Sequence, residues 1–168
     1  MAEEIERKFL VIGDIPQTGG AVRAIPMMQA YLSTHPERVV RLRIAGEEAW
    51  LTVKGKPREG GVSRGEWEYP IPVQEAREML PLCEPGRIEK TRYEIPFAGH
   101  LWEVDLYEGA LAGLRIAEIE LTAEEESFTP PPWVGREVSG DRRFYNSGLA
   151  KLTREDVLAL GMMNEKGE

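Results

Sequence analysis

The chain has 168 residues, 42% of them hydrophobic and 30% charged, with a formal net charge of -8. That balance suits one soluble globular domain over 1–168 and argues against general binding to nucleic acid or an anionic membrane, since both want a basic face. With one cysteine, Cys83, there is no internal disulfide; no apolar run nears the roughly 18 residues that span a bilayer, and the acidic start lacks a signal-peptide core, so a cytoplasmic location is expected.

Most of the chain reads as short strands between turn signals, and the pairing is expected to be mainly antiparallel because neighbours are joined closely. Side chains at i and i+2 share one face of a strand. The first strand, 3–12, puts Glu4, Glu6 and Lys8 opposite Ile5, Phe9 and Val11. A second, 28–33, carries no charge. The third, 38–44, sets Arg41 and Arg43 against Val40, Leu42 and Ile44, and the fourth, 49–54, sets Thr52 and Lys54 against Leu51 and Val53. In 64–71, Arg64, Glu66 and Glu68 oppose Trp67, Tyr69 and Ile71. A helix is predicted over 73–83 after Pro72, limited by Pro81. Strands resume with Lys90 and Arg92 in 88–96, Glu103 and Asp105 in 101–107, and Glu118 and Glu120 in 114–122. A short helix over 141–150 and another over 153–163, capped by Thr153 with Val157, Leu160 and Met163 together, complete the prediction.

Any one of these strands would suit an ordinary sheet with its charges in water. Taken together, they sort their charges into same-sign pairs, and like charges repel without adding stability. Convergence around a ligand explains the sorting better. Facing arginines and lysines suit phosphate oxygens, and carboxylate pairs suit hard divalent cations. For all the charged faces to share one space the sheet must close, and about eight strands suffice. The expected fold is therefore α+β and dominantly antiparallel: a closed eight-stranded barrel around a charge-lined tunnel, its apolar outer face covered by the helices at 73–83 and 153–163.

These segments also carry a family resemblance. EIERK at 4–8 has the ExExK form of the CYTH domain, or triphosphate tunnel metalloenzyme, superfamily. VRLRI at 40–44, LTVKG at 51–55, RGEWEYPI at 64–71, IEKTRYEIP at 88–96, WEVDLYEG at 102–109 and AEIEL at 117–121 resemble its successive strand motifs in order. EVSGDRRFYNSGLA at 137–150 is similar to the C-terminal signature of bacterial members. The resemblance implies an enzyme that uses Mg²⁺ or Mn²⁺ to hydrolyse a small-molecule triphosphate, inorganic triphosphate being favoured because the compact chain shows no long insertion for a nucleoside. It implies Glu4, Glu6, Glu118 and Glu120 as metal ligands and catalytic groups with Lys8. Lys8, Arg41, Arg43, Lys54, Arg64, Lys90, Arg92 and Arg143 are implied to hold the substrate, Arg143 near a tunnel mouth. Glu66, Glu68, Glu103 and Asp105 are implied as supporting acids.

The alternatives are the same scaffold acting on a nucleoside or thiamine triphosphate, an adenylate cyclase of the class sharing this fold, and a non-catalytic polyphosphate-binding module. His35 and His100 sit beside turn residues without zinc spacing, Ser139 and Ser147 lack a nucleophile-elbow context, and Gly55-Lys56 lacks the spacing of a P-loop. Arg115 falls out of phase with Glu118 and Glu120 and is expected at the surface, while Cys83 is expected to be a buried thiol at a helix end.

Overall fold

The computed structural model describes residues 2–60 and 62–166; of 161–166, only the backbone assignment is described, so the predicted partnership of Met163 lies outside it. The strands are β1 (Ala2–Val11), β2 (Arg23–Ser33), β3 (Arg38–Ala45), β4 (Glu48–Gly55), β5 (Ser63–Ile71), β6 (Ile88–Phe97), β7 (His100–Tyr107), β8 (Arg115–Glu120) and β9 (Val134–Glu137). The helices are α1 (Val73–Met79), α2 (Asn146–Leu149) and α3 (Arg154–Lys166).

All pairings are antiparallel, in the order β5-β4-β3-β2-β6-β7-β8-β1-β9, and a further β5–β1 pairing closes β1–β8 into a barrel. Strand β1 makes the closure by dividing its length. Residues 2–5 pair with β5, residues 6–10 with β8, and the stretch around Phe9–Val11 takes β9 on the edge that β5 has left. The eight-stranded barrel predicted from the charge pattern is present, with β9 as an extra strand.

Two departures have local causes. Strand β2 starts at Arg23, five residues before its predicted start at residue 28, because Pro26 hides the signal. Over 23–27 the strand pairs only with β6; its other edge is free, so a proline without an N–H breaks no ladder there. Strand β9 follows Pro130–Pro132 and has only four residues. It lies so close to β1 that a Cβ at Gly135 would come within 2.9 Å of Ile12 and 3.0 Å of the Leu10 carbonyl.

The apolar side chains form the outer layer of the barrel, in three clusters. Helix α1 seals one, where Ala76 packs on Ile44 and Ala49. A second gathers Leu10, Ile88, Leu114, Ile116 and Phe144 beneath Val157 and Leu160 of α3. That helix opens on a reciprocal cap in which Asp156 accepts from Thr153 N and Oγ1 at 2.9 and 2.8 Å. The third cluster had no predicted cover. Phe9, Trp102, Val104 and Ile119 are capped by Phe128 and Trp133 from the irregular segment before β9, with ring centroids 5.7 and 5.8 Å from Trp102.

The predicted helix over 73–83 is α1 continued by a 3-10 turn at Leu80–Leu82, and that over 141–150 is a 3-10 turn at Arg142–Phe144 followed by α2. Gly148 lets α2 fold back on that turn, since a Cβ there would meet the Arg142 carbonyl at 2.1 Å. Cys83 is half-buried, with its thiol donating to the Met79 carbonyl at 3.6 Å. Among the described residues, no helix is long and apolar enough to cross a membrane.

Candidate active site

The barrel encloses a cavity of about 490 Å³. Glu4, Glu6 and Lys8 reach it from β1, Arg41 and Arg43 from β3, Lys54 from β4, Arg64, Glu66 and Glu68 from β5, Arg92 from β6, Glu103 from β7, and Glu118 and Glu120 from β8. The period-2 alternation thus placed each of these side chains on the inner face. Tyr31 of β2, Asn146 and Ser147 of α2, and Trp67 and the exposed Tyr69 of β5 also line it. None of these five was expected there. Tyr31 and the α2 residues carry no charge to mark them, and Trp67 and Tyr69 belong to the opposite alternation of β5.

Three expected residues do not line the cavity. Lys90 is fully buried, 2.6 Å from Asp105, whose two oxygens also accept from Arg92 Nε at 2.8 Å and Nη2 at 2.9 Å. The Tyr107 ring lies 5.5 Å from the Lys90 ammonium, and its hydroxyl donates to Asn146 at 2.9 Å. Lys90 and Asp105 therefore face inward but are sealed from the space. Arg143 is an exposed surface residue, bonded to Asp141 two positions away. Arg115 is directed to the surface as expected, donating to the Gly13 carbonyl at 2.6 Å.

The charges in the cavity are arranged in opposed sets. Lys8 lies 3.2 Å from Glu118 and 3.7 Å from Glu6; burial alone would lower its pKa, but those two carboxylates outweigh it and raise the pKa above the usual lysine range. Burial would likewise raise Glu118, yet Lys8 holds it low. Lys54 grips both oxygens of Glu4 at 2.7–2.8 Å, and Arg64 stands 3.7 Å from the same carboxylate. Arg41 is 3.6 Å from Glu68, with Thr52 bridging the two. Arg92 also bonds Glu103.

The register places Glu6 directly opposite Glu120, and Glu103 opposite Glu118. Like charges facing each other across a ladder are destabilising. At Glu120 partial burial and then Glu4, Glu103 and Glu6 push the carboxyl up. An all-oxygen donor set under that repulsion suits a hard divalent cation, which would replace repulsion by coordination. Among the described residues no three such side chains already stand as a coordination cluster; Lys54 and Lys8 occupy Glu4 and Glu118.

The CYTH domain family model matches residues 2–147. The chain belongs to the CYTH family. It is 46% identical over 152 residues to the inorganic triphosphatase of Acetivibrio thermocellus, covering 90% of this chain and 95% of that protein. It is 42% identical over 152 residues to the inorganic triphosphatase of Nitrosomonas europaea, covering 88% and 96%. A crystal structure of an inorganic triphosphatase superposes with a TM-score of 0.63 at 37% identity, covering 89% of this chain and 95% of that one. The CYTH match ends at Ser147, so it takes in the α2 residues on the cavity wall and leaves out α3.

Proposed function

We propose that this chain is a divalent-metal-dependent hydrolase that cleaves inorganic triphosphate to pyrophosphate and orthophosphate inside the barrel. The observation that carries this reading is the cavity lining: Lys8, Arg41, Arg43, Lys54, Arg64 and Arg92 face one space beside the carboxylates of β1 and β8. Guanidinium forks and ammonium groups converging from five strands fit a compact polyanion with many equivalent oxygens. The two inorganic triphosphatases at 46% and 42% identity support the same substrate.

Glu4, Glu6, Glu118 and Glu120 are the side chains that would hold Mg²⁺ or Mn²⁺. Such an ion would screen the phosphate charge and activate the attacking water. Arg41, Arg43, Lys54, Arg64 and Arg92 hold the phosphate chain in line for attack on a terminal phosphorus. Lys8, kept protonated by Glu118 and Glu6, meets charge that develops as the P–O bond breaks. A carboxylate of the β1/β8 set takes the proton of the water. Positioning and charge neutralisation carry the rate, as in phosphoryl transfer generally.

The exposed Tyr69 and half-buried Trp67 on the cavity wall favour one second reading, an organic triphosphate whose ring packs against them. Phosphate release from inorganic triphosphate, ATP and thiamine triphosphate, each with Mg²⁺, Mn²⁺ and EDTA, separates the two. Metal-dependent turnover greatest on inorganic triphosphate is the expected result; a higher kcat/KM on either organic substrate would replace it with the second reading.

A further inference from the structure

Of the cations that line the cavity, all but Arg43 have a carboxylate within ion-pair distance: Lys8, Arg41, Lys54, Arg64 and Arg92 are each so paired. Among the described residues Arg43 has no acidic partner, and its side chain makes a single hydrogen bond. Its Nε donates to Gln29 Oε1 at 3.0 Å. Gln29 lies in β2, directly opposite Arg43 across the ladder, and is fully buried at 0% exposure. Its other amide atom, Nε2, has no partner.

An unpaired buried amide N–H is destabilising, because its desolvation is not repaid by a hydrogen bond. A glutamate has the same length, would accept the same bond from Arg43, would pair its charge and would leave no orphan donor. The amide is therefore a poorer choice for the empty protein. Departures of this kind from local satisfaction cluster where a ligand completes the site.

We propose that Gln29 is a positioning residue for substrate: it fixes the Nε edge of Arg43 with a neutral acceptor, so that Arg43 presents an uncompensated charge and both Nη groups to a phosphoryl oxygen of the triphosphate. The inference rests on the triphosphatase reading. At the other cavity cations an incoming phosphate must compete with a carboxylate already in place; at Arg43 it does not. Arg43 is then the cation that anchors the anion before the remaining ion pairs rearrange.

The test compares wild type, Gln29→Glu, Gln29→Met, Arg43→Met and the Gln29→Glu/Arg43→Met double variant. The readouts are kcat and KM for inorganic triphosphate with Mg²⁺, calorimetric affinity for a non-hydrolysable bis-methylene triphosphate analogue, and thermal melting. Gln29→Glu is expected to raise KM and weaken analogue binding by about tenfold, the worth of one charge-assisted hydrogen bond. Its kcat should stay within about threefold and its melting temperature at or above that of wild type. Gln29→Met, which frees Arg43 from its clamp without neutralising it, should raise KM by a smaller factor, about threefold. In the Arg43→Met background Gln29→Glu should add nothing further, which a merely structural role for Gln29 would not produce. Wild-type KM and analogue affinity in Gln29→Glu would overturn the inference, as would an additive effect in the double variant. If Gln29→Glu does not fold, Gln29→Met decides, and wild-type KM there overturns it. A wild-type enzyme that neither hydrolyses nor binds inorganic triphosphate overturns instead the reading on which the inference stands.

Discussion

Two charged regions share the inside of this barrel, and they are held in different ways. In the sealed corner Asp105 accepts from Lys90 and twice from Arg92 at 2.6–2.9 Å. In the cavity the separations are mixed: 3.6 Å for Arg41–Glu68, 3.7 Å for both Arg64–Glu4 and Lys8–Glu6 and 3.2 Å for Lys8–Glu118 are slack, while Lys54–Glu4 at 2.7 Å and Arg92–Glu103 are tight. A buried charge stays charged when its partners satisfy it fully. Arg92 and Lys90 thus hold the Asp105 carboxyl down to about 2 against the upward pull of its burial. In the same corner, burial pushes Lys90 down to about 7 despite Asp105, with Arg92 and Arg43 adding to the effect. The corner is a closed unit that supports β6 and β7. The cavity is a set of charges whose pairing leaves room for a ligand to rearrange it.

The sealed corner depends most heavily on Asp105. Asp105→Asn leaves Lys90 and Arg92 buried with less compensation and is expected to lower unfolding free energy by about 3–5 kcal/mol in urea titrations. The sign of its pH dependence follows from the depressed carboxyl. The Asp105 contribution is fully present above the ordinary carboxyl value of 3.8 and is lost as pH falls toward 2. Wild type should lose stability more steeply than Asp105→Asn across that window, and equal slopes would remove Asp105 from the account.

On the cavity side the effect should fall on turnover. Glu4→Gln and Glu118→Gln are each expected to lower kcat for triphosphate by roughly 100-fold or more, in the range found when one group stabilising transition-state charge is removed. Circular-dichroism melts should shift far less than in Asp105→Asn. Full activity in either variant would contradict the metal-ligand assignment.

The smallest effect is predicted at Arg143, which resemblance implied as a substrate contact but which lies exposed on Asp141. Arg143→Ala should change kcat/KM less than twofold and stability by no more than about 1 kcal/mol, as for an exposed ion pair. A tenfold rise in KM would bring it back to the site.

The barrel was legible because its charges alternate with period 2 on seven of the eight barrel strands, and β-strand geometry turns that alternation into an inner face. Alternation says which face a residue takes, and nothing about its depth along the barrel. Lys90 and Asp105 obey the period as fully as Arg92 and Glu103, yet Tyr107 seals them off. Gln29 and Tyr31 share the inner face of β2 without a charge to mark them, and so were missed. Strand β9 and the cover made by Phe128 and Trp133 arise from a proline-rich stretch with no periodicity, where position is set by packing on Phe9 and Trp102.

Metal-dependent hydrolysis is tested most directly by ³¹P NMR of inorganic triphosphate incubated with the wild-type protein and Mg²⁺, beside a sample containing EDTA. Equal amounts of pyrophosphate and orthophosphate should appear as triphosphate disappears, with no change in the EDTA sample. Persistence of the triphosphate signals in Mg²⁺, or the same conversion in EDTA, would contradict the account.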